Sequence, residues 1–153
     1  MAAKVDIADM IHRGGVFELE GKNPQDVYKK VSALVKLPAN VQPDSLYKAL
    51  CEREQVLTTA VGNGIALPHT RTPILSNESE ETICVVYLKK PIDMKALDGK
   101  PVSVMFVLLA ANNQTHLTVL SKLAGLFNNQ TFKLALERKT GEERLAAVIR
   151  GVA

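Results

Sequence analysis

The apolar run VSVMFVLL, from Val102 to Leu109, decides the fold class of this sequence. It is rich in β-branched and aromatic residues, has the length of a strand, and shows no alternation with polar residues. We therefore expect it to be covered on both faces of a sheet. A second run of the same character, TICVVYL from Thr82 to Leu88, precedes it. Two such strands predict a central sheet between layers of helices.

Helix and strand patterns alternate before these two runs. A short amphipathic helix ends near Gly14, and a half-buried strand follows from Val16 to Glu20. Asn23 favours an N-cap and stands directly before Pro24, which fits the first turn of a second helix. A third helix is expected after the breaker segment PANVQP, with Asp44 or Ser45 as its cap.

Three helical patterns follow the apolar run from Val102 to Leu109. The first extends from about Thr115 to Phe127, and the others from about Gln130 to Arg138 and from Glu142 to Arg150. The residues expected on the buried face of the first are Leu117, Leu120, Leu123, Ala124 and Phe127. The whole pattern predicts an α/β fold with helices on both faces of a sheet. At this length we expect one domain over residues 1–153.

The charge and cysteine content argue against several classes of function. The 19 basic and 16 acidic residues are interspersed, without a basic run, so nucleic-acid binding is not expected. Cys51 and Cys84 have neither the spacing of a zinc site nor the density of a disulfide scaffold. A cysteine hydrolase is the alternative for these thiols, but no nucleophile motif surrounds either one.

The hydropathy pattern shows no transmembrane segment or signal peptide. The longest apolar run, from Val102 to Ala111, is too short to cross a bilayer, and the N-terminus lacks the core of a signal peptide. We therefore expect a cytoplasmic protein without membrane insertion.

The segment GNGIALPHTR, residues 62–71, carries one of the three histidines. Gly62 and Gly64 permit positive φ, while Pro68 fixes its own φ and biases the preceding residue toward an extended conformation. Such a segment presents His69 in a defined direction. Glycine-rich backbone also exposes amide groups that can receive an anion such as a phosphoryl group.

Two other interpretations of this segment are open. GNGIAL is half of a dinucleotide-binding fingerprint, but Leu67 stands where the third glycine or alanine belongs. A single histidine after proline is also commonly an ordinary structural residue.

His116 and Arg53 are the other candidate site residues. His116 lies in the first turn of the helix that directly follows an apolar strand, a position where open α/β sheets bind anions. It is equally compatible with an ordinary polar residue of a first turn. Arg53 lies near the end of the third helix, where a solvated charge is also favoured. The residues alone leave these alternatives open.

The segments REQVLTTAVGNGIALPHTR and QTHLTVLSKLA together resemble the two active-site motifs of one family. These are the phosphotransferase-system enzyme IIA domains of the fructose, mannitol and nitrogen-regulatory type. The resemblance implies one domain with a mixed β-sheet sandwiched between helices. It also implies that His69 accepts a phosphoryl group, that His116 is its active-site partner, and that Arg53 is an active-site cation. No metal or cofactor is implied.

The resemblance also leaves some positions open. Gly62, Gly64 and Thr59 are candidates for a phosphate loop, and Thr59 lies in a segment where the family often has Ser-Thr. Thr70-Arg71 stands where Gly-x is more usual, so Arg71 either contacts phosphate or is solvated.

The implied partners are those of a phosphoryl relay. The donor is the phosphocarrier HPr or a paralogue, and the receiver is either an enzyme IIB or a regulatory target protein. We favour a stand-alone carrier similar to the nitrogen-regulatory type. The alternatives are a IIA component of sugar uptake and a non-catalytic interaction module.

Overall fold

A computed structural model describes residues 5–152 and shows a five-stranded mixed sheet between two layers of helices. The strands lie in the order β1-β4-β5-β3-β2 across the sheet. Their bounds are β1 Val16–Leu19, β2 Ala60–Gly62, β3 Ile65–Ala66, β4 Thr82–Ile92 and β5 Val102–Leu109. The two apolar runs of the sequence are therefore the paired central strands, as predicted. Residues 1–4 and 153 of the expected domain lie outside the described residues.

The helices divide into two layers that cover opposite faces of the sheet. Their bounds are α1 Ile7–Gly14, α2 Pro24–Leu34, α3 Pro43–Val56, α4 Asn113–Phe127, α5 Gln130–Glu137 and α6 Glu142–Val152. Helices α1, α4, α5 and α6 pack on one face, around the ring cluster of Phe106, Phe127 and Phe132. Helices α2 and α3 pack on the other, where Tyr28, Leu46 and Leu50 are buried. This arrangement confirms the predicted fold class.

The register of the sheet determines which segments meet at its edge. β1 runs parallel to β4, β4 is antiparallel to β5, and β3 is parallel to β5. β3 and β5 consequently end at the same edge. β5 is followed at once by α4, so the N-terminus of α4 lies at that edge as well.

The glycine segment forms a β-hairpin that the periodicity analysis did not predict. Its turn residues Gly62, Asn63 and Gly64 have φ values of 97°, 55° and 80°, a run of positive φ that glycine and asparagine adopt most readily. The Oδ2 atom of Asp98 accepts a hydrogen bond from the Asn63 amide at 2.8 Å and so closes the turn. The strands flanking this turn are too short to show an alternating pattern.

Two helix starts and one buried face differ from expectation. α3 begins at Pro43 after Gln42, and no side chain caps it. The expected cap at Asp44 or Ser45 was wrong, because Pro43 already supplies the fixed φ of a first turn and has no N–H to satisfy. α4 begins at Asn113, two residues before the expected start at Thr115.

Leu117 and Ala124 were predicted to be buried, but both are exposed, Leu117 by 66%. Leu123 and Phe127 are buried as predicted, and Thr115, Val119 and Leu126 complete the buried face of α4. Leu117 projects from the opposite side of the first turns, beside His116.

No helix within residues 5–152 is both long enough and apolar enough to span a membrane.

Candidate active site

His69 lies at the edge of the sheet where β3 and β5 end. Beyond β3 the chain continues in extended form, and His69 forms a parallel bridge with Leu108. The Leu108 amide donates to the Pro68 carbonyl at 2.9 Å, and the Leu67 amide donates to the Thr59 carbonyl, also at 2.9 Å. The segment before His69 is therefore held on both sides by backbone hydrogen bonds.

The ring of His69 has one nitrogen committed to the backbone. Its Nδ1 atom lies 2.7 Å from the Leu67 carbonyl oxygen. Because a carbonyl can only accept, Nδ1 carries the hydrogen and donates it, which leaves Nε2 unprotonated in the neutral ring. Partial burial lowers the pKa of His69, and the nearby Arg53 charge lowers it further, against the opposing influence of the Leu67 carbonyl. The neutral ring with a lone pair on Nε2 is favoured.

His116 is placed beside His69 by the start of α4. The Asn112 side chain caps this helix by accepting from the Thr115 amide at 2.8 Å, and the His116 amide donates to the Asn112 carbonyl at 3.2 Å. The ring centroids of His69 and His116 lie 4.7 Å apart, with the planes inclined at 64°. Burial lowers the pKa of His116, and the proximity of His69 and Arg53 adds to that effect.

Arg53 belongs to the opposite helix layer. It lies in the last turn of α3, and its Nη1 atom donates to the Leu57 carbonyl at 2.6 Å. Its charge influences the pKa of both histidines. The structure therefore brings together His69, His116 and Arg53 from three different elements. The predicted end of α3 near Arg53 was early by one turn, since the helix continues to Val56.

The two glycines of the predicted phosphate loop lie away from His69, which corrects that expectation. The Gly64 carbonyl accepts from the amides of Ser103 and Val104, whereas His69 pairs with Leu108 on the same strand. Val104 and Leu108 are about 13 Å apart at roughly 3.3 Å per residue. Gly62 is one residue further into the hairpin turn. Positive φ at both positions serves the turn.

Thr59 is also engaged elsewhere, by a residue that the sequence analysis passed over. Its amide donates to Oε2 of Glu54 at 2.9 Å, and its hydroxyl donates to Oε1 of the same carboxylate at 2.6 Å. The Tyr28 hydroxyl donates to Oε1 as well, at 2.6 Å. Thr59 supports the site through its neighbours rather than by offering a free hydroxyl.

A sequence signal for Glu54 existed. Leu46, Leu50 and Glu54 are spaced by four, which places the carboxylate on the buried side of α3.

Arg71 lies on the rim of the site. It is exposed, and together with Thr70, Asn113 and His116 it lines a small cavity. The Thr70 hydroxyl donates to the Thr72 carbonyl at 2.6 Å and so fixes the turn that carries Arg71.

The site combines an unprotonated ring nitrogen of His69, the imidazole of His116 and the guanidinium of Arg53. Across residues 5–152 there is no group of three or more histidine, cysteine or acidic side chains arranged to hold a metal ion. Such a set is suited to receiving a transferred anionic group, because the chemistry needs an unprotonated acceptor and donors for the group's oxygens.

Comparison with known proteins relates this chain to one family of phosphotransferase-system proteins. The family model described as "Phosphoenolpyruvate-dependent sugar phosphotransferase system, EIIA 2" matches residues 15–151. A nitrogen regulatory protein of Pseudomonas aeruginosa is 32% identical over 133 residues, which cover 84% of each chain. A fructose-specific EIIA component of Haloferax volcanii is 35% identical over 112 residues, covering 69% of this chain and 71% of the other.

The fold agrees with a solved member of the same group. The crystal structure of nitrogen regulatory protein IIA-Ntr from Neisseria meningitidis superposes with a TM-score of 0.81 at 27% identity. The match covers 94% of this chain and 98% of that one.

Proposed function

Since this chain belongs to the EIIA 2 family of the phosphoenolpyruvate-dependent sugar phosphotransferase system, we propose that Nε2 of His69 accepts a phosphoryl group from a phosphohistidine carrier. The observation that carries the proposal is the hydrogen bond between Nδ1 of His69 and the Leu67 carbonyl, which leaves Nε2 as the unprotonated nitrogen. The chain is a phosphoryl carrier, and His69 is the residue on which the group is carried.

The transfer balances without a net proton movement. The lone pair of Nε2 forms the new N–P bond while the N–P bond of the donor histidine breaks, and the donor ring keeps the electron pair of that bond. Positive charge develops on the His69 ring as the bond forms. The Leu67 carbonyl, which accepts the Nδ1 hydrogen, stabilises that charge.

His116 and Arg53 stabilise the transferring group. Phosphoryl transfer proceeds through a loose, in-line transition state, so a protein catalyses it mainly by positioning and by charge stabilisation. Arg53 supplies a fixed positive charge, and its bond to the Leu57 carbonyl holds the guanidinium near the rings. His116, whose pKa is lowered by burial, is neutral near pH 7 and donates a hydrogen bond from its ring N–H.

The surface around the site is suited to docking a protein donor. Leu57 and Val56 are each 67% exposed at the end of α3, and Leu117 is 66% exposed beside His116. These side chains follow Arg53 and His116 along the chain, and exposed large apolar side chains favour an interaction surface. The donor that fits is HPr or an HPr-like phosphocarrier, whose own phosphohistidine must approach within bonding distance.

Two roles are considered for the carried phosphoryl group. We favour a regulatory role, in which the phosphorylation state controls binding to target proteins, because the Pseudomonas relative named as a nitrogen regulatory protein is matched over 84% of both chains. The second candidate is sugar uptake, with transfer to an enzyme IIB. It is supported by the similarity to a fructose-specific EIIA component.

Intact-mass spectrometry after incubation with phosphorylated HPr, or with an HPr-like carrier, tests the acceptor. We expect one added phosphoryl group, absent in His69→Ala and present in His12→Ala, which removes an exposed histidine of α1. Full labelling of the His69→Ala protein would show that the acceptor is another residue.

Addition of a fructose-type or mannitol-type enzyme IIB to the phosphorylated protein separates the two roles. Rapid loss of the phosphoryl group to the IIB would support sugar uptake. Retention of the group, with target binding that depends on it, would support regulation.

A further inference from the structure

Half-buried Glu54 lies at the centre of a hydrogen-bond cluster behind His69. Its carboxylate accepts three hydrogen bonds: from the Tyr28 hydroxyl, the Thr59 hydroxyl and the Thr59 amide, at 2.6, 2.6 and 2.9 Å. Tyr28 is fully buried, and Thr59 is only 4% exposed. The cluster therefore joins α2, the last turn of α3 and the segment that leads into β2.

This cluster continues to the ring of His69 through the backbone. The Thr59 carbonyl accepts from the Leu67 amide at 2.9 Å, and the Leu67 carbonyl accepts from Nδ1 of His69 at 2.7 Å. The position of Thr59 thus determines where the Leu67 peptide lies. That peptide in turn determines which ring nitrogen carries the hydrogen.

The same carboxylate also fixes the place of the active-site cation. Arg53 precedes Glu54 in the last turn of α3, and that turn is tied to the β2 segment by the two bonds from Thr59. A shift of this turn would move the guanidinium and the Leu67 peptide together.

We propose that Glu54 is a positioning residue that holds His69 as the Nδ1–H tautomer and keeps Arg53 in register with it. The kinetic part of this role rests on the proposed function, whereas the tautomer part does not. Glu54 does not touch the reacting atoms; it acts through Thr59 and Leu67.

The chemistry of the cluster makes glutamine a sharp probe at this position. All three partners are donors, and a carboxylate accepts from all of them. The amide of Glu54→Gln has one accepting oxygen, and its NH₂ group faces a donor. The variant therefore keeps the shape of the side chain but misdirects at least one of the contacts.

The matched control is Glu52→Gln, the same substitution two residues earlier in the same helix. Glu52 is exposed, and it takes part in no side-chain hydrogen bond or ion pair among those found in residues 5–152. Its replacement changes the net charge equally but leaves the cluster intact.

The first measurement is the ring ¹⁵N spectrum of His69 in labelled protein at neutral pH. We expect the parent and Glu52→Gln to show a protonated Nδ1 and an unprotonated Nε2. Glu54→Gln should show a larger share of the Nε2–H tautomer. A parental tautomer in folded Glu54→Gln would overturn the proposal, whatever the outcome of the phosphorylation assays.

The second measurement is single-turnover phosphoryl transfer from phosphorylated HPr. We expect the maximal rate of Glu54→Gln to fall on the order of tenfold to a hundredfold. Losses of this size are typical when a residue that orients a metal-binding side chain is replaced. The carrier concentration for half-maximal rate should stay near the parental value. A change confined to that concentration would assign Glu54 to docking and overturn the positioning role.

A second pair of variants decides the matter if Glu54→Gln does not fold. Thr59→Val removes one donor to Glu54 while it keeps the side-chain shape, and Thr59→Ser keeps the hydroxyl. We expect Thr59→Val to shift the tautomer and Thr59→Ser to restore it. Parental spectra for both variants would overturn the proposal. A His69→Ala protein that is phosphorylated normally would instead contradict the proposed function and leave the tautomer result standing.

Discussion

The two histidines of the site are held by different kinds of structure. His69 lies on an extended segment at the edge of the sheet, between backbone hydrogen bonds to Thr59 and Leu108, and its Nδ1 atom is bound to the Leu67 carbonyl. His116 lies in the first turn of a helix, fixed through its own backbone amide. In the part of the chain that the structure describes, no hydrogen bond engages the His116 ring.

This difference suits the two rings to different tasks. A ring whose Nδ1 hydrogen is committed has one nitrogen available and one tautomer, as a nucleophile requires. A ring held only by its helix can offer an N–H from either nitrogen and can follow the oxygens of a moving group. We therefore propose that the sheet-held region provides the acceptor and that the helix-held region provides transient stabilisation.

Among changes that leave His69 in place, removal of the helix-held ring should slow phosphoryl transfer most. We expect His116→Ala to remain phosphorylatable on His69 but to accept the group on the order of tenfold to a thousandfold more slowly, the range for loss of one preorganised donor. The cause is the loss of transition-state stabilisation while the nucleophile stays. Stopped-flow or quench-flow transfer from phosphorylated HPr measures it.

The reverse reaction provides the control for His116. A transition-state effect must slow transfer in both directions, so phosphorylated His116→Ala should also return its group to HPr slowly. Parental rates in both directions would remove His116 from the mechanism. Stable phosphoryl label on His116 in the parent protein would exchange the roles of the two regions.

Replacement of Arg53 tests whether one cation acts on both His69 and His116. We expect Arg53→Gln to slow transfer by roughly tenfold or more, because the fixed positive charge beside both rings is lost. The melting temperature should change little, since a charge near a helix C-terminus contributes only about 0.3–1 kcal/mol. Arg150→Gln, which removes an exposed arginine from the last turn of α6, is the matched control. Unchanged kinetics in Arg53→Gln would return Arg53 to the role of a solvated charge.

Most of the strands and helices around this site were predictable from the sequence. β4 and β5 are long apolar runs, and the helices carry a 3.6-residue period, so their places followed from pattern alone. The hairpin was not predictable in this way, because β2 has three residues and β3 has two. Strands of that length show no period, and their pairing depends on the neighbouring strand.

The candidate site was predictable in its residue types but not in its supporting contacts. The motifs selected His69, His116 and Arg53, and their roles stay predictions. The glycines were misassigned because a run of positive φ serves an anion cradle and a hairpin turn equally well. Only the pairing of Gly64 with Ser103 and Val104 distinguishes the two. Glu54 was missed because its three partners come from distant elements.

The smallest expected effect is the pH dependence of the rate at which His69 accepts the phosphoryl group. Burial lowers the pKa of His69 below its ordinary value of 6.5. Only the neutral ring has a free lone pair, so the acceptance rate should be constant near pH 7 and fall in acid, with a midpoint below 6.5.

The free energy of unfolding should also decrease as the pH falls. Between 6.5 and the lowered pKa, the unfolded state binds more protons than the folded state, so the free energy of unfolding decreases as pH falls through that window.

Titration of His116 in the absence of the His69 ring tests the comparison of the two rings most closely. The pKa of His116 is lowered by His69 as well as by burial, whereas the influences on His69 are burial, the Leu67 carbonyl, Arg53 and Glu54. The ring centroids lie 4.7 Å apart, so a proton on His69 opposes protonation of His116. His69→Gln, which keeps the volume, should therefore raise the pKa of His116. Ring-proton NMR titrations of the parent and the variant measure that change. An unchanged pKa of His116 in folded His69→Gln would show that the charge of the sheet-held ring does not act on the helix-held ring.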